Sequence, residues 1–456
     1  MSFASYKRIF LSVFAVNLLS FATGNAYAWS SSVLILLKKN DPNENPLGRA
    51  ITSSEESLIA SLLSLGASMG PFFAGYCSDK FGRKRTLLIF SVPMLISHLI
   101  VAFASNAIEY YIARFMMGLG AGCVFTVIPI YVGEIAETKI RGLLGSVMAV
   151  LLSNGLLLVY TIGSYVNIMT LSFILMIPVG LFMIFFGFFV PESPYYFVAN
   201  GRKSSAIISL SRLRTTDESS ILQELKEIED VINEAKAKYS VKELFSSRSF
   251  IKGITITTTL MYFQQFIGIT ILLSYLESIF TATGSSISPS SSTLIVAVVQ
   301  SMSVLVSCLL VDRWGRRMLL LIASLGCASP LMVLATFFYM KNSEMDVSSL
   351  WWLPIACLMF FFITFNFGMG SLPWTLVGEL FSAKTKALAS SVTAFTCLFL
   401  AFLLTLIFPS LEQFIGFHGA FGLFAANAVL CFFFVFWYVP ETKGKTFQEI
   451  SKILEE

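Results

Sequence analysis

The stretch DKFGRK, residues 79–84, recurs in the second half of the chain as DRWGRR, residues 312–317. Other short patterns repeat in the same order: Glu134 with Arg141 matches Glu379 with Lys386, and PES at 191–193 matches PET at 440–442. The spacings between the copies are similar but unequal, as insertions and deletions between duplicated halves would leave them. The sequence therefore predicts two related halves.

The composition indicates a membrane protein. Of 456 residues, 56% are hydrophobic and only 13% are charged, whereas a soluble chain carries about a quarter charged residues. About twelve apolar stretches are each long enough to cross a bilayer as a helix. They lie near residues 9–37, 57–77, 86–105, 109–131, 143–165, 168–190, 253–280, 292–311, 318–340, 352–377, 388–409 and 418–439.

We therefore expect an all-α membrane protein of twelve transmembrane helices in two six-helix halves. The expected domains are a first half (1–190), a cytoplasmic helical linker (191–252), a second half (253–440) and a cytoplasmic tail (441–456). Within the linker, apolar residues follow helical spacing at Ile221, Leu222, Leu225, Ile228, Val231 and Ile232. Parallel repeats of six spans are typical of transporters, with the substrate site near the midplane between them.

The distribution of basic residues predicts the topology. The net charge is only +4, but most of the 31 Lys and Arg fall in loops on one side. By the positive-inside rule both termini are cytoplasmic, so the basic residues give no reason to expect nucleic-acid binding. Lys7-Arg8 and Ala26-Tyr27-Ala28 imitate a signal peptide. The apolar stretch continues to Leu37, however, and cleavage would leave an odd number of spans.

Cysteine and histidine give no metal or cofactor signal. The seven Cys lie in apolar segments without a CxxC pair, and the two histidines, His98 and His418, have no partner at ligand spacing. We interpret His98 as a structural residue with its hydrogen bonds satisfied. A phosphate loop and a nucleophile elbow are both missing from the sequence, so we expect neither a cofactor nor an enzyme.

Repeated charges stand at the cytoplasmic ends of the spans, where they could form an inner salt-bridge latch. Its members are Asp79, Arg83, Glu134, Arg141 and Glu192 in the first half, and Asp312, Arg316, Glu379, Lys386 and Glu441 in the second. Single exposed ion pairs contribute little, but a network formed in one state can bias a two-state equilibrium. Alternatively, these are ordinary charges that end the spans.

FQQFIGIT, residues 263–270, places two amides in an apolar run. A buried amide costs free energy unless it is hydrogen-bonded. Gln264 and Gln265 therefore either hydrogen-bond neighbouring helices, as polar residues in membrane proteins do, or face a ligand in a water-filled cavity.

Eight segments together resemble the sugar-porter family of the major facilitator superfamily. They are GYCSDKFGRKR, YIARFMMGLGAG, PIYVGEIAETKIRGLLG, VPESPYYF, FQQFIGI, LLVDRWGRR, PWTLVGELF and VPETKGKTFQEI, in the family's order and across nearly the whole chain. SEESLIASLLSLGASMGP and GFHGAFGLF are more similar to insect facilitated trehalose and hexose transporters.

The resemblance implies alternating access, with the two halves rocking about a central sugar site. It implies substrate contacts from Gln264, Gln265, Thr270, Gln300, Asn366 and Trp374, and gating by Tyr275, Gly368, Gly370 and Pro373. It also implies a plasma-membrane protein whose partners are the lipid bilayer and a small-molecule sugar, and which functions as a monomer.

Several positions depart from the family pattern. Ala149 and Cys397 replace amides, Thr270 and Gln300 stand where relatives carry asparagine, and Lys386 replaces an arginine. Met369 and Ser371 stand at two positions where the family has proline, which predicts a less sharp break in the gating helix. We therefore expect a site polar enough for a polyol but altered from a standard glucose site.

The sequence favours passive transport. Proton-coupled relatives carry an aspartate midway along the first span, where Gly24, or Ala26 in another alignment, stands here. We find no other midplane carboxylate, and proton relays need such a group. The expected activity is facilitative transport of trehalose, a hexose or a related polyol. A proton-coupled symporter and a non-transporting sugar sensor on the same fold remain alternatives.

Overall fold

The computed structural model describes residues 3–42, 44–137, 140–214, 218–235, 247–310, 314–381, 385–445 and 447–455, and throughout these ranges the regular elements are helices. The first half contains α1 (Phe3–Leu37), α2 (Ser53–Phe81), α3 (Arg83–Ala102), α4 (Ala107–Ile135), α5 (Arg141–Ile162) and α6 (Ile168–Phe189). Three shorter helices follow: α7 (Pro194–Ala199), α8 (Lys203–Leu213) and α9 (Glu218–Ala235). The second half contains α10 (Arg248–Phe266), α11 (Ile269–Thr283), α12 (Pro289–Leu310), α13 (Arg316–Asn342), a 3₁₀ turn (Ser348–Leu350), α14 (Leu353–Phe367), α15 (Leu372–Leu380), α16 (Lys386–Tyr438) and α17 (Phe447–Glu455).

Eleven helical segments in the described ranges are long and apolar enough to span a membrane. The last of them covers 51 residues, and at about 1.5 Å per residue it is more than twice the roughly 30 Å of a hydrocarbon core. It turns at Gly416, where φ is 67° and ψ is 172°, so it supplies two crossings. The predicted twelve spans are confirmed, and an even number of crossings starts α1 and ends α16 at the same face.

Two spans are broken near their middles. α10 and α11 together form one span, interrupted at Ile267 and Gly268. α14 and α15 form another, interrupted between Phe367 and Leu372. The breaks matter because a broken helix exposes backbone polar groups that must find partners inside the protein.

The halves meet along three helix pairs. α1 packs against α11, α5 against α12, and α2 against α16. Inside the first half, α2 and α4 approach closely because small residues line their contact: a Cβ on Gly118 would lie 2.1 Å from the carbonyl oxygen of Leu63.

The linker helices pack at one end of the first half, which we call the linker face. Arg214 anchors them there by donating to the carbonyl oxygen of Ile135 at 2.9 Å. A small apolar cluster joins α8 to α9, and its buried members are Ala206, Leu210, Ile221, Leu225 and Ile228.

The predicted apolar face of α9 was too wide. Leu222 and Val231 are 49% and 52% exposed, because α8 covers only the side of α9 that carries Ile221, Leu225 and Ile228. Ile232 packs against the cluster from its edge.

Candidate functional site

The first break lies directly after the two glutamines. Gln264 and Gln265 occupy the last turn of α10 and are only 5% and 6% exposed. Gly268 adopts φ 98°, which favours glycine, and a Cβ there would lie 2.7 Å from the ring of Phe424. Glycine is therefore required at this break both by its backbone angle and by the neighbouring helix.

Gln264 hydrogen-bonds the second break. A helical carbonyl normally accepts from the N–H four residues later, but Pro373 has no N–H, so the carbonyl of Met369 lacks its helical donor. The Nε2 of Gln264 supplies it at 2.6 Å, and lies 3.3 Å from the carbonyl oxygen of Gly370. The two broken spans are thus joined by one side-chain amide.

The span is broken although Pro373 is the one proline between Phe367 and Leu380. The sequence indicated a less sharp break because Met369 and Ser371 replace family prolines, yet α14 still ends at Phe367. Gly368 has φ −138° and ψ −73°, outside the helical region, and a Cβ there would lie 2.4 Å from the Cβ of Ala323. Close packing against α13 therefore adds to the effect of Pro373.

Gln265 belongs to a second small network. Its Nε2 donates to Cys397 Sγ at 3.1 Å, and the hydroxyl of Thr270 donates to its Oε1. Cys397 in turn donates to Gln264 Oε1 at 3.5 Å. The sequence indicated Cys397 only as a lost amide, whereas the structure uses its thiol as a bridge between the glutamines. A thiol is a weak donor and acceptor, and no sequence signal marked this role.

The two glutamines retain different hydrogen-bonding capacity. A primary amide has two N–H donors and two carbonyl lone pairs. Gln264 directs Nε2 to two backbone carbonyls, while Gln265 uses one N–H and one lone pair. Gln265 therefore keeps one donor and one acceptor, the combination that a sugar hydroxyl requires.

Gln300 and Asn366 meet at the contact between α12 and α14. Asn366 Nδ2 donates to Ser303 Oγ at 2.7 Å and lies 3.4 Å from the backbone oxygen of Gln300. Gln300 is 6% exposed, and its Oε1 is buried without a hydrogen-bond partner in the described ranges. Because an unpaired buried acceptor is costly, Gln300 Oε1 is well suited to a ligand donor.

Trp374 joins the two halves. It is half-buried on α15, and its ring lies parallel to that of Phe125 on α4, with centroids 6.4 Å apart and planes at 11°. Phe125 also contacts Tyr27 of α1 edge-on at 6.3 Å. The first half thus contributes aromatic side chains to the candidate site, and the sequence motifs did not indicate them.

Tyr275 lies where the halves close at the face opposite the linker. It is 2% exposed and interrupts α11 with φ −125° and ψ 15°. Nearby, Tyr160 donates to the carbonyl oxygen of Leu273 at 2.7 Å. Ser164 donates to Glu277 at 2.9 Å, and the backbone N–H of Glu277 donates to Ser31 Oγ at 3.0 Å. Hydrogen bonds from α1 and α5 therefore hold α11 at this face.

The charged residues of the linker face pair within each half. Arg83 contacts Glu134 at 2.8 Å and Asp79 at 3.6 Å. Arg316 contacts Glu379 at 3.2 Å. The ion pairs found in the described ranges join no residue of α1–α6 to one of α10–α16.

Arg141 and Lys386 form no ion pair within the described ranges, and Asp312 lies outside them. The structure therefore brings together only part of the predicted latch, and as two separate clusters. Whether these clusters act as a latch stays a prediction.

Glu192 and Glu441 accept hydrogen bonds from the N-termini of helices. Glu192 accepts from the backbone N–H of Lys84 at 3.0 Å, at the start of α3, and Glu441 accepts from that of Arg316 at 2.9 Å, at the start of α13. Carboxylates are favoured at the positive end of a helix. Burial of Glu441 by itself would raise its pKa, but the backbone N–H groups donating to it outweigh this effect, and the pKa is lowered.

This geometry explains the glycine shared by DKFGRK and DRWGRR. A Cβ on Gly82 would lie 2.3 Å from Glu192 Oε2, and one on Gly315 would lie 2.4 Å from Glu441 Oε2. The glycine of each repeat and the glutamate of PES or PET are therefore parts of one contact.

A buried arginine was missed as a candidate. Arg114 of α4 is 1% exposed. It donates to the carbonyl oxygens of Ala26 at 2.6 Å and Ile59 at 3.0 Å, and lies 5.0 Å from the ring centre of Trp29. Its acceptors are backbone carbonyls, with no carboxylate paired to it in the described ranges. An arginine within a span was the only sequence signal, and it calls for a partner.

The interpretation of His98 as a satisfied structural residue was wrong. Its side chain is fully buried in α3, and neither ring nitrogen has a hydrogen-bond partner in the part of the chain that the structure describes. Within the same ranges, no group of three or more His, Cys, Asp or Glu could hold a metal ion.

Twelve spans, two halves and two facing breaks define an integral, multi-pass membrane protein of the major facilitator fold. Residues 12–454 match the family model described as sugar (and other) transporter. The chain belongs to this sugar transporter family, as the sequence motifs predicted.

Curated proteins similar to this chain include insect transporters. The facilitated trehalose transporter Tret1 of Polypedilum vanderplanki is 34% identical over 447 residues, which cover 97% of this chain and 87% of that protein. The Tret1-2 homolog of Drosophila sechellia is 33% identical, with 97% and 90% covered. Tret1 of Drosophila pseudoobscura pseudoobscura is also 33% identical over 97% of this chain. The chain spans about half the length of that protein, 50%.

Solved structures confirm the fold. The inward open xylose transporter XylE from E. coli matches with a TM-score of 0.80 at 23% identity, covering 98% of this chain and 99% of that one. The proton:xylose symporter XylE bound to 6-bromo-6-deoxy-D-glucose matches with a TM-score of 0.78 at 24% identity and the same coverage.

Proposed function

We propose that the chain is a facilitative transporter that carries a sugar or related polyol across a membrane by alternating access. The observation that carries the proposal is the pair of joined breaks: Gln265 keeps a free donor and acceptor beside them, and Trp374 adds an aromatic face. Sugar hydroxyls both donate and accept, and a pyranose ring stacks on aromatic surfaces. The names of the insect relatives make trehalose the first substrate to test.

In this proposal Gln264 and Gln265 have different roles. Gln264 holds the α14–α15 break through Met369 and Gly370, so it positions the site. Gln265, with Thr270 beside it, contacts the substrate. Gln300 adds its unpaired Oε1, and Asn366 fixes the backbone of Gln300. Tyr275, Gly368, Gly370 and Pro373 serve the gating movements at the two breaks.

The proposed direction of opening follows from the contacts between halves. Hydrogen bonds cross from α1 and α5 to α11 at the face opposite the linker. At the linker face, the ion pairs of the described ranges remain within a half. The structure thus resembles a state closed at the opposite face. The latch residues, including Arg141, Lys386 and Asp312, would pair differently when the linker face closes.

Passive transport is supported by the surroundings of Gly24. A Cβ at this position would lie 2.0 Å from the carbonyl oxygen of Leu152, so an aspartate would fit only if α1 and α5 moved apart. Arg114 meanwhile bonds backbone carbonyls. No observation favours proton coupling or a sensor role over transport down the gradient.

We further propose that both termini and the linker face the cytoplasm, with the protein in the plasma membrane. The excess of Lys and Arg in the loops of one side supports this orientation. The domain boundaries at 190, 252 and 440 and a monomeric functional unit complete the proposal.

Uptake into proteoliposomes tests the function. We expect saturable, gradient-limited uptake from a panel of labelled trehalose, hexoses and polyols, unaltered by a protonophore. Acceleration by an inward proton gradient would contradict passive transport, and saturable binding without flux would favour a sensor. If none of these compounds is either taken up or bound, the result would contradict the assignment of a sugar substrate.

Gln265→Ala tests the site. We expect substrate affinity to fall roughly two- to tenfold, the value of one net hydrogen bond, with the folded protein retained. Thr257→Val is the matched control, because Thr257 makes a buried contact from α10 to Thr393 of α16 at 3.3 Å, seven residues before Gln264. Equal effects of the two substitutions on affinity would refute the assignment.

A further inference from the structure

A basic cavity lies at the linker face, away from the central site. Its volume is about 500 Å³, and its lining includes Lys84 and Arg85 from the start of α3 with Arg202 and Arg212 from the linker. None of these four cations forms an ion pair within the described ranges. Glu192 also lines the cavity, but its carboxylate accepts from the backbone N–H of Lys84. The cavity therefore presents four cations against one carboxylate that is already hydrogen-bonded.

Apolar side chains also line the cavity, next to exposed apolar surface on the neighbouring spans. Phe81, Leu88 and Ile208 line it, and Ile208 is 57% exposed. Below the cavity, exposed apolar side chains follow two spans: Ile89, Val92, Ile96 and Leu99 on α3, and Ile184, Phe185 and Phe188 on α6. A cationic pocket above an apolar stripe matches a molecule with an anionic head and a hydrocarbon tail.

We propose that this cavity binds the headgroup of an anionic phospholipid, with the acyl chains lying along α3 and α6. The four cations would bind phosphate oxygens, Arg by its planar fork and Lys as a point charge, and Ser205 supplies a hydroxyl. A soluble phosphate compound would satisfy the cations but leave Leu88 and Ile208 uncovered. The linker face, proposed above to be cytoplasmic, is also the side where anionic lipids concentrate.

The lipid would connect α3 to α8. Lys84 and Arg85 lie at the start of α3, whereas Arg202 and Arg212 belong to the linker. Four like charges repel one another, so an anion shared by both elements should hold the linker against the spans. This site is independent of the substrate and of the proposed transport function.

The test titrates the purified full chain in detergent with dioctanoyl phosphatidylinositol phosphate, phosphatidylserine and phosphatidylcholine. We expect saturable binding of the two anionic lipids and at least about tenfold weaker binding of phosphatidylcholine, since each basic residue adds to the attraction for an anionic headgroup. The triple variant Arg85→Gln, Arg202→Gln, Arg212→Gln should weaken anionic binding at least tenfold.

Two matched variants separate the site from general charge. Lys7→Gln, Lys226→Gln, Arg248→Gln removes the same charge from exposed positions outside the cavity and should leave binding unchanged. Arg85→Lys, Arg202→Lys, Arg212→Lys should retain most of it. Three results would each overturn the proposal. The first is an equal loss of anionic lipid binding in the first control variant, the second is no saturable lipid binding, and the third is inositol phosphate binding as tightly as the lipid. Thermal unfolding of every variant checks that it is folded.

Discussion

The contact between Gln264 and Pro373 can be tested by a double-mutant cycle. Gln264→Leu removes the donor to the Met369 carbonyl, a contact of 2.6 Å. Pro373→Ala supplies the N–H that the proline lacks. Helical hydrogen bonds are present close to this position on both sides, from Leu372 N to Gly368 O at 3.0 Å and from Thr375 N to Ser371 O at 3.1 Å. The new N–H would therefore point at the same carbonyl.

The expected loss of stability follows from the carbonyl oxygen of Met369, which Gln264→Leu leaves without a donor. A buried carbonyl left unpaired costs about 1–3 kcal/mol, and the longer contact of Gln264 with Gly370, 3.3 Å, adds less. Gln264→Leu alone should lower the free energy of unfolding by about 1–3 kcal/mol. In the Pro373→Ala background most of that cost should vanish, so the coupling energy should be at least about 1 kcal/mol.

Unfolding of the four proteins in mixed detergent micelles measures the cycle. Gln265→Leu, with and without Pro373→Ala, is the parallel control, because Gln265 bonds Cys397 and Thr270 and makes no hydrogen bond to the α14–α15 break. If the changes in unfolding free energy caused by Gln264→Leu and Pro373→Ala add to within about 0.5 kcal/mol, the two residues are not coupled. That result would refute the reasoning that the amide replaces the missing proline N–H.

Three further predictions follow from the contacts at the two faces. Gly82→Ala should destabilise more than Gly315→Ala in thermal unfolding, since both place a Cβ within 2.4 Å of a glutamate oxygen but only Gly82 has a positive φ, 98°; the reverse order would contradict this explanation of the repeat. Glu441→Gln should lower the free energy of unfolding by about 0.3–1 kcal/mol at neutral pH. Because the folded-state pKa of Glu441 is lowered, that cost should disappear as the pH falls through it, and a cost that persists in acid would exclude a charge effect. Glu277→Gln should open the face opposite the linker, so that a cysteine introduced at buried Leu276 is labelled faster by a membrane-impermeant maleimide; unchanged labelling would show that the charge of Glu277 does not hold this face closed.

The fold could be predicted from the sequence because spans and repeats depend on local patterns. Apolar length alone located the twelve crossings, and the repeated glycines and glutamates marked helix ends that meet in the same way in both halves. The apolar pattern of α9 was less informative, since helical spacing cannot tell how much of a helix a neighbour covers. Leu222 and Val231 satisfy the spacing and are exposed.

The site was only partly predictable, because its members are defined by contacts between distant segments. Gln264 and Gln265 lie where the motif indicated, yet their different partners depend on Met369 and Cys397, more than 100 residues away. Phe125 is one of 44 phenylalanines in the sequence, and only the stacking of its ring on that of Trp374 distinguishes it. His98 shows the converse, since its isolation in the sequence gave no sign that its ring is also unpaired in the fold.

The contacts between halves indicate what a substrate has to supply. At least four hydrogen bonds cross at the face opposite the linker: Tyr160 donates to the carbonyl oxygen of Leu273, Ser164 to Glu277, the N–H of Glu277 to Ser31, and Gln413 to Ser53. At about 1 kcal/mol each, they hold this face closed by roughly 4 kcal/mol, with no ion pair among them. A ligand shifts the equilibrium only by its difference in affinity for the two states. A few hydrogen bonds to Gln265 and Gln300 are of the same size, so a sugar held by amides could reverse the balance without a coupled ion.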